Sequence, residues 1–128
     1  MNLYVFSVHF NRNKELILPH CVVEYSDRLD AAPILAAVFE GALQSELFEP
    51  GGADIKVRAQ AYQQHISGAE HRDFIHVQLR ILSGRNLEQK QHLSQSVLNQ
   101  LLKLELISCS HTVEVVDIDR ASYAKKVS

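Results

Sequence analysis

The chain has 128 residues, of which 46% are hydrophobic, and its 13 basic residues are nearly balanced by 15 acidic ones. This length and composition fit one domain with a single hydrophobic core. The charges form no long run of one sign, which argues against a nucleic-acid-binding face, and no apolar stretch approaches the roughly 20 residues that cross a bilayer. The first residues lack the basic segment and cleavage site of a signal peptide, so we expect a cytoplasmic protein.

The chain divides into an N-terminal extension, residues 1–18, and a main domain, residues 19–128. Residues 3–10 have strong strand propensity and precede a polar stretch. The extension is therefore expected either to add an extra edge strand or to reflect a mis-assigned start of translation.

The first half of the main domain predicts a strand, a helix and a second strand. Residues 20–25 form a β-branched run typical of a strand. Apolar residues recur at helical spacing over residues 30–47, and the Pro-Gly-Gly stretch that follows ends the predicted helix. Over residues 55–62 apolar and polar residues alternate, which predicts a strand with one apolar and one polar face.

The second half repeats this order. Residues 74–82 predict a strand, Asn86 and Gln89 form a capping pair before a helix that runs to Leu104, and residues 112–116 predict the last strand before a polar tail. Each helix is long enough to cross over the sheet, so the two strands within a half should be parallel.

The predicted fold is therefore α/β, of the α+β kind: two consecutive β-α-β units that form a four-stranded sheet with both helices on one face. We expect Val, Ile and Leu side chains on the bare face of this sheet, and hence an oligomer that covers them.

The cysteines and histidines indicate no metal or disulfide chemistry. Cys21 and Cys109 lie in apolar segments and are expected to be reduced core thiols. The seven histidines are scattered without the spacing of metal ligands, so a metal site is not expected. Glu24, on the first strand, is expected to have a structural or hydrogen-bonding role.

From Pro19 onward the chain resembles the 5-carboxymethyl-2-hydroxymuconate isomerase family of the tautomerase superfamily. Residues 19–27 are similar to the family's opening strand and residues 53–58 to its second strand. Residues 74–90, with their Ser-Gly-Arg loop, are similar to its third strand and the start of its second helix.

This resemblance implies a homotrimer whose sheets close into a central barrel, with active sites near subunit boundaries. It implies isomerisation of small unsaturated 2-oxo or 2-hydroxy dicarboxylates in aromatic degradation, without a metal or an organic cofactor. In such enzymes an N-terminal proline carries a proton between carbon atoms, while cationic side chains hold the carboxylates and the 2-oxo group of the substrate.

Pro19 occupies the position of that catalytic proline. A free N-terminal proline is a secondary amine; its pKa of about 8 falls toward neutrality beside cations in a dry pocket, which suits a general base. An internal proline has an amide nitrogen without useful basicity, and Pro19 is internal as the sequence is written. Three alternatives stay open: translation starts at residue 18 and the initiating Met is removed, the extension is cleaved later, or it is retained and the proline activity is lost.

Lys56, Arg58 and Arg85 are the candidate substrate-binding residues. Lys56 and Arg58 lie two apart on a strand and therefore share one face, which suits carboxylate recognition. The family usually has Arg in place of Lys56, which affects the choice of substrate, and a solvated sheet edge is the alternative. Arg85 matches the arginine of the family's Gly-Arg loop, at a helix start that attracts anions; the alternative is an exposed loop arginine.

Two other hypotheses compete with the isomerase. One is a non-catalytic trimeric binding or structural protein in which residues 1–18 block the proline site. The other is a ferredoxin-like regulatory domain that binds a small ligand and forms a dimer or a larger ring without the trimer barrel.

Overall fold

The computed structural model describes residues 18–68 and 71–128. It contains strands β1 (Pro19–Ser26), β2 (Lys56–Tyr62), β3 (Asp73–Leu82) and β4 (Cys109–Ile118), helices α1 (Ala31–Gln44) and α2 (Leu87–Leu102), and short 3₁₀ turns at Pro50–Gly52 and Arg120–Ser122. The predicted order of strands and helices is confirmed. The extra strand predicted for residues 3–10 lies outside the described residues.

The four strands form one sheet in the order β2-β1-β3-β4. Within each half the strands are parallel, as the crossover helices predict, and the halves join through antiparallel pairing of β1 with β3. Neither helix of the described chain has the length and apolar character that crossing a bilayer requires.

The hydrophobic core lies between the sheet and the two helices, which pack on the same face. Every second residue of the central strands points into it, and these meet the apolar faces of α1 and α2. The buried members include Cys21, Val23, Ile75, Val77, Leu79 and Ile81 from the strands and Ile34, Val38, Leu93, Val97 and Leu101 from the helices. Both cysteines are free thiols, as predicted.

Two helix ends differ from the prediction. α1 ends at Gln44 rather than near residue 47, because the Ser45 hydroxyl donates to the carbonyl oxygen of Ala42 (2.6 Å) and Glu46 turns to a φ of 62°. α2 begins as expected, with reciprocal hydrogen bonds between Asn86 and Gln89, but it ends at Leu102 rather than at residue 104.

The last strand is longer than predicted. β4 extends from Cys109 to Ile118 because it pairs with β3 along its whole length. Pairing with β3 thus extends β4 past the β-branched run at its centre, which was the only part that strand propensity predicted.

The face of the sheet away from the helices, called the open face below, is mostly polar, so the predicted apolar surface is wrong. Most valine and isoleucine side chains of the central strands point to the helices, and the alternate positions carry mainly polar groups. By strand register the open face contains Lys56, Arg58, Gln60 and Tyr62 of β2, His20, Val22, Glu24 and Ser26 of β1, Phe74, His76, Gln78, Arg80 and Leu82 of β3, and Ser110, Thr112, Glu114, Val116 and Ile118 of β4.

The close contact of the two helices depends on Gly41. A Cβ atom at Gly41 would lie 2.5 Å from the Cα of Val97, and the Ser96 hydroxyl donates to the Gly41 carbonyl oxygen at 2.7 Å. We expect Gly41→Ala to lower the free energy of unfolding by about 2 kcal/mol, because overpacking outweighs the better helix propensity of alanine.

Urea denaturation measures this change, and Gly68→Ala is the matched control because a Cβ there meets no atom within 4 Å. A Gly41→Ala protein as stable as the original chain would show that α1 and α2 are not in backbone contact at this position.

Candidate functional site

Pro19 is the first residue of β1 and pairs with Ile81 near the end of β3. Its side chain is buried, and its nitrogen is joined to Leu18, whose side chain is 2% exposed. In the full chain this nitrogen is therefore an amide without basicity. Since β1 runs parallel to β2 and antiparallel to β3, the start of β2 and the loop after β3 lie at the same end of the sheet as Pro19.

Lys56 and Arg58 both point to the open face, as predicted; Lys56 is the partner of His20 in the strand register, and Arg58 is the next residue along that face of β2. The Nη1 atom of Arg58 lies 3.3 Å from His20 Nδ1, and the hydroxyl of Tyr123 lies 3.0 Å from His20 Nε2. Because a guanidinium can only donate, Nδ1 accepts, and the neutral ring carries its proton on Nε2 and donates it to Tyr123.

The surroundings of His20 are strongly positive. Burial lowers the pKa of its imidazole first, and the charges of Arg58, Lys56, Arg80 and Lys125 lower it further. Within residues 18–68 and 71–128, none of these four cations forms an ion pair with a carboxylate. His20, Lys56, Arg58, Arg80 and Lys125 are called the cationic cluster below.

The carboxylates of the open face lie farther along the strands and have partners of their own. Glu24 accepts a hydrogen bond from the Tyr62 hydroxyl (3.0 Å), which confirms its predicted hydrogen-bonding role. Glu114 lies 2.6 Å from His76 Nε2 and accepts from Gln78 Nε2 at 3.2 Å, and these hydrogen bonds lower the pKa of its carboxyl. The open face is therefore positive at the end near Pro19, and its carboxylates lie farther along the strands.

Arg85 lies in a different environment from Lys56 and Arg58. Its Nη2 donates to the carbonyl oxygen of Leu47 at 2.8 Å, and its guanidinium carbon lies 5.8 Å from the ring centre of Phe48. Phe48 belongs to the core between sheet and helices, so Arg85 lies on the helix side of the sheet. Burial, and then the charge of Arg120, lower the pKa of its guanidinium.

The sequence-predicted residues therefore lie at one end of the sheet but not on one face. Lys56 and Arg58 come together with His20, whereas Arg85 remains with Leu47 and Phe48. His20, Arg80 and Tyr123 were missed as site residues because their proximity depends on strand order and on the return of the C-terminal segment. The alternation of polar and apolar residues in β3 was the available signal for Arg80.

The described residues give little support for metal binding or for thiol chemistry. Among residues 18–68 and 71–128, no group of three or more His, Cys, Asp or Glu side chains is arranged to hold a metal ion. Burial raises the thiol pKa of Cys21 to about 12 and that of Cys109 to about 11, which disfavours a reactive thiolate at either position.

Comparison with known proteins gives one family and a consistent fold. The family model described as 5-carboxymethyl-2-hydroxymuconate isomerase matches residues 19–117. A crystal structure of a 5-carboxymethyl-2-hydroxymuconate isomerase from Deinococcus radiodurans R1 is similar at 24% identity, with 87% of this chain and 90% of that chain covered and a TM-score of 0.68. No curated protein sequence matches the chain.

Two further solved structures share the fold. A 5-carboxymethyl-2-hydroxymuconate delta-isomerase has 18% identity, coverage of 88% of this chain and 90% of that chain, and a TM-score of 0.68. A fused 4-OT wild type symmetric trimer also has 18% identity, with 83% of this chain and 90% of that chain covered and a TM-score of 0.67. At these identities the structural similarity shows the fold alone.

The electrostatics of the cationic cluster can be measured at His20. Removing an adjacent cation stabilises the protonated imidazole, so Arg58→Gln and Lys56→Gln should each raise the His20 pKa, Arg58→Gln by more. NMR titration of the His20 ring measures both shifts. Lys103→Gln, which removes one positive charge next to the end of α2, is the control and should leave the His20 pKa unchanged. An unchanged pKa in Arg58→Gln would contradict the placement of His20 beside Arg58.

Proposed function

The chain belongs to the 5-carboxymethyl-2-hydroxymuconate isomerase family, and from this membership we propose that it moves a proton between carbon atoms of a small unsaturated 2-oxo or 2-hydroxy dicarboxylate. Family membership makes it an isomerase of the tautomerase type. The observation that carries the finer proposal is that the family match begins at Pro19 itself. We place this reaction in aromatic catabolism in the cytoplasm, and in our proposal it needs no cofactor.

The active form in this proposal begins at Pro19. The free amine takes a proton from a carbon next to the conjugated system, and the electron pair of the broken C–H bond enters that system while the carbonyl pair moves to oxygen. The carbonyl then re-forms, and the electron pair that this releases binds the same proton at another carbon. Cations beside the amine keep part of it unprotonated near neutral pH. Loss of residues 1–18 removes the Leu18 side chain, which is 2% exposed in the full chain, and so makes room for substrate next to the amine.

Lys56, Arg58 and Arg85 bind the carboxylates and the developing dienolate oxygen. Such preplaced positive charge stabilises the transition state more than the ground state, where the oxygen is still neutral. Since Arg85 lies on the helix side and the other two lie on the open face, a site that uses all three takes them from different subunits.

A homotrimer supplies such composite sites. In a cyclic trimer every boundary between subunits is repeated three times, so each Pro19 meets the same side chains of a neighbour. The similar fused 4-OT structure is a symmetric trimer, which supports this assembly.

A non-catalytic trimeric binding protein is the second candidate. It is favoured by the peptide bond between Leu18 and Pro19, which leaves the full chain without a basic proline nitrogen. Residues 1–18 and the main domain, residues 19–128, would then function together as a binding or structural unit.

Removing the extension tests the proline mechanism. A shortened chain that begins at Pro19 should ketonise a 2-hydroxymuconate-type dienol at least about a hundredfold faster than the full chain, since a positioned general base contributes this much. Pro19→Ala in the shortened chain should lose that gain. Ultraviolet absorbance of the dienol follows the reaction. Equal rates for the full and shortened chains, or an unimpaired Pro19→Ala protein, would sink the mechanism.

Mixing two variants tests the composite site. Lys56→Ala and Arg85→Ala should each lower kcat/KM about tenfold or more, because each removes a charge-assisted hydrogen bond to the substrate. If the shortened chains are unfolded together and reassembled, about a quarter of the subunit boundaries should carry both original residues. Activity should therefore exceed that of either variant alone. Activity no higher than the mean of the two variants would place both residues in one subunit's site.

A further inference from the structure

The cationic cluster gathers four positive side chains, and within residues 18–68 and 71–128 none of them forms an ion pair, although the charge of Arg80 acts on the nearby Glu114. Two cations outside the cluster meet carboxylates: Lys90 pairs with Asp117 at 2.9 Å, and Arg28 forms two hydrogen bonds with the buried Asp73. In the cluster, by contrast, the guanidinium of Arg58 donates to a neutral imidazole and that of Arg80 to the side-chain oxygen of Gln78. Like charges gathered in this way repel one another, and an anion bound among them relieves that repulsion.

The spacing of the charges indicates what kind of anion fits. Lys56, His20 and Arg80 lie side by side across three neighbouring strands, with His20 in the middle. Neighbouring strands are about 4.8 Å apart, so the backbones of Lys56 and Arg80 are about 10 Å apart. Positive charge thus lies on both sides of a neutral ring. This arrangement suits two negative charges at the ends of a short carbon chain better than one compact anion.

We propose that the cationic cluster binds a small dicarboxylate across this row, with one carboxylate held by Lys56 and Arg58 and the other by Arg80 and Lys125. His20 lies between them and is the positioning residue. The inference rests on the proposed function for Lys56 and Arg58. It adds the second carboxylate site and assigns His20, Arg80 and Lys125, which the family resemblance did not identify.

His20 couples this binding to pH. The groups that face its ring come from three elements: Lys56 and Arg58 of β2, Arg80 of β3, and Tyr123 and Lys125 of the C-terminal segment. These cations disfavour the protonated ring in the free protein, and a bound dicarboxylate removes that penalty. Binding therefore takes up a proton, and affinity should rise as the pH falls through the range in which His20 titrates.

The test measures binding to the full 128-residue chain, in which Pro19 has no amine and no turnover interferes. Calorimetric titration at low salt compares adipate, a saturated dicarboxylate, with hexanoate and with inorganic phosphate. We expect adipate to bind about tenfold more tightly than either, since each charge-assisted contact is worth about that factor. This comparison uses only the original chain, so misfolding of a variant cannot affect it.

Two variants then assign the residues, with Lys103→Gln as the control that removes a remote charge. Arg80→Gln should weaken adipate binding about tenfold and leave hexanoate binding nearly unchanged. His20→Gln should remove most of the rise in adipate affinity that the original chain shows on acidification. Thermal unfolding of each variant verifies that it is folded.

Several results would overturn the inference. Equal affinities for adipate and hexanoate, tighter binding of phosphate, or an Arg80→Gln protein that weakens all three anions alike would each exclude a two-carboxylate site. Absence of adipate binding to the full chain, together with loss of the oligomer in Arg80→Gln, would also exclude such a site. The cluster would then pair with carboxylates of another copy of the chain. A shortened chain without isomerase activity would refute the proposed function and leave adipate binding by the full chain unaffected.

Discussion

Antiparallel pairing of β1 with β3 is the interaction on which the rest of the structure depends. It joins the two β-α-β halves into one sheet, and it brings Pro19 to the end where β3 leaves the sheet. The same register sets His20 beside Arg80, while the parallel pairing of β1 with β2 sets His20 beside Lys56. A shift of one residue in either pairing would turn these side chains into the core.

Charge on the open face follows from this register. Cations from β2 and β3 meet at the Pro19 end around a neutral histidine, whereas Glu24 and Glu114 are engaged farther along the strands. The opposite face of the same strands is apolar and covered by the helices. One alternation of side chains therefore produces both a core and a surface suited to anions.

Much of the fold could be predicted because its signals are local. The helical spacing before Gln44, the alternation in β2 and the capping pair of Asn86 and Gln89 each act within a few residues. Strand order and register join distant segments, so the row through His20 could not be seen in one strand. The return of Tyr123 to His20 was missed for the same reason. The surface prediction is wrong because most valine, isoleucine and leucine side chains of the central strands occupy core-facing positions.

The chemistry depends on what is attached to one nitrogen. Acylated by Leu18, Pro19 is an ordinary strand residue; in the proposed function it is a free amine that serves as the base at the positive end of the sheet. The intact mass of the protein purified from its own cells decides between these states most directly. The proline mechanism requires a species whose first residue is Pro19. A mass that corresponds only to the chain starting at Met1 would contradict it.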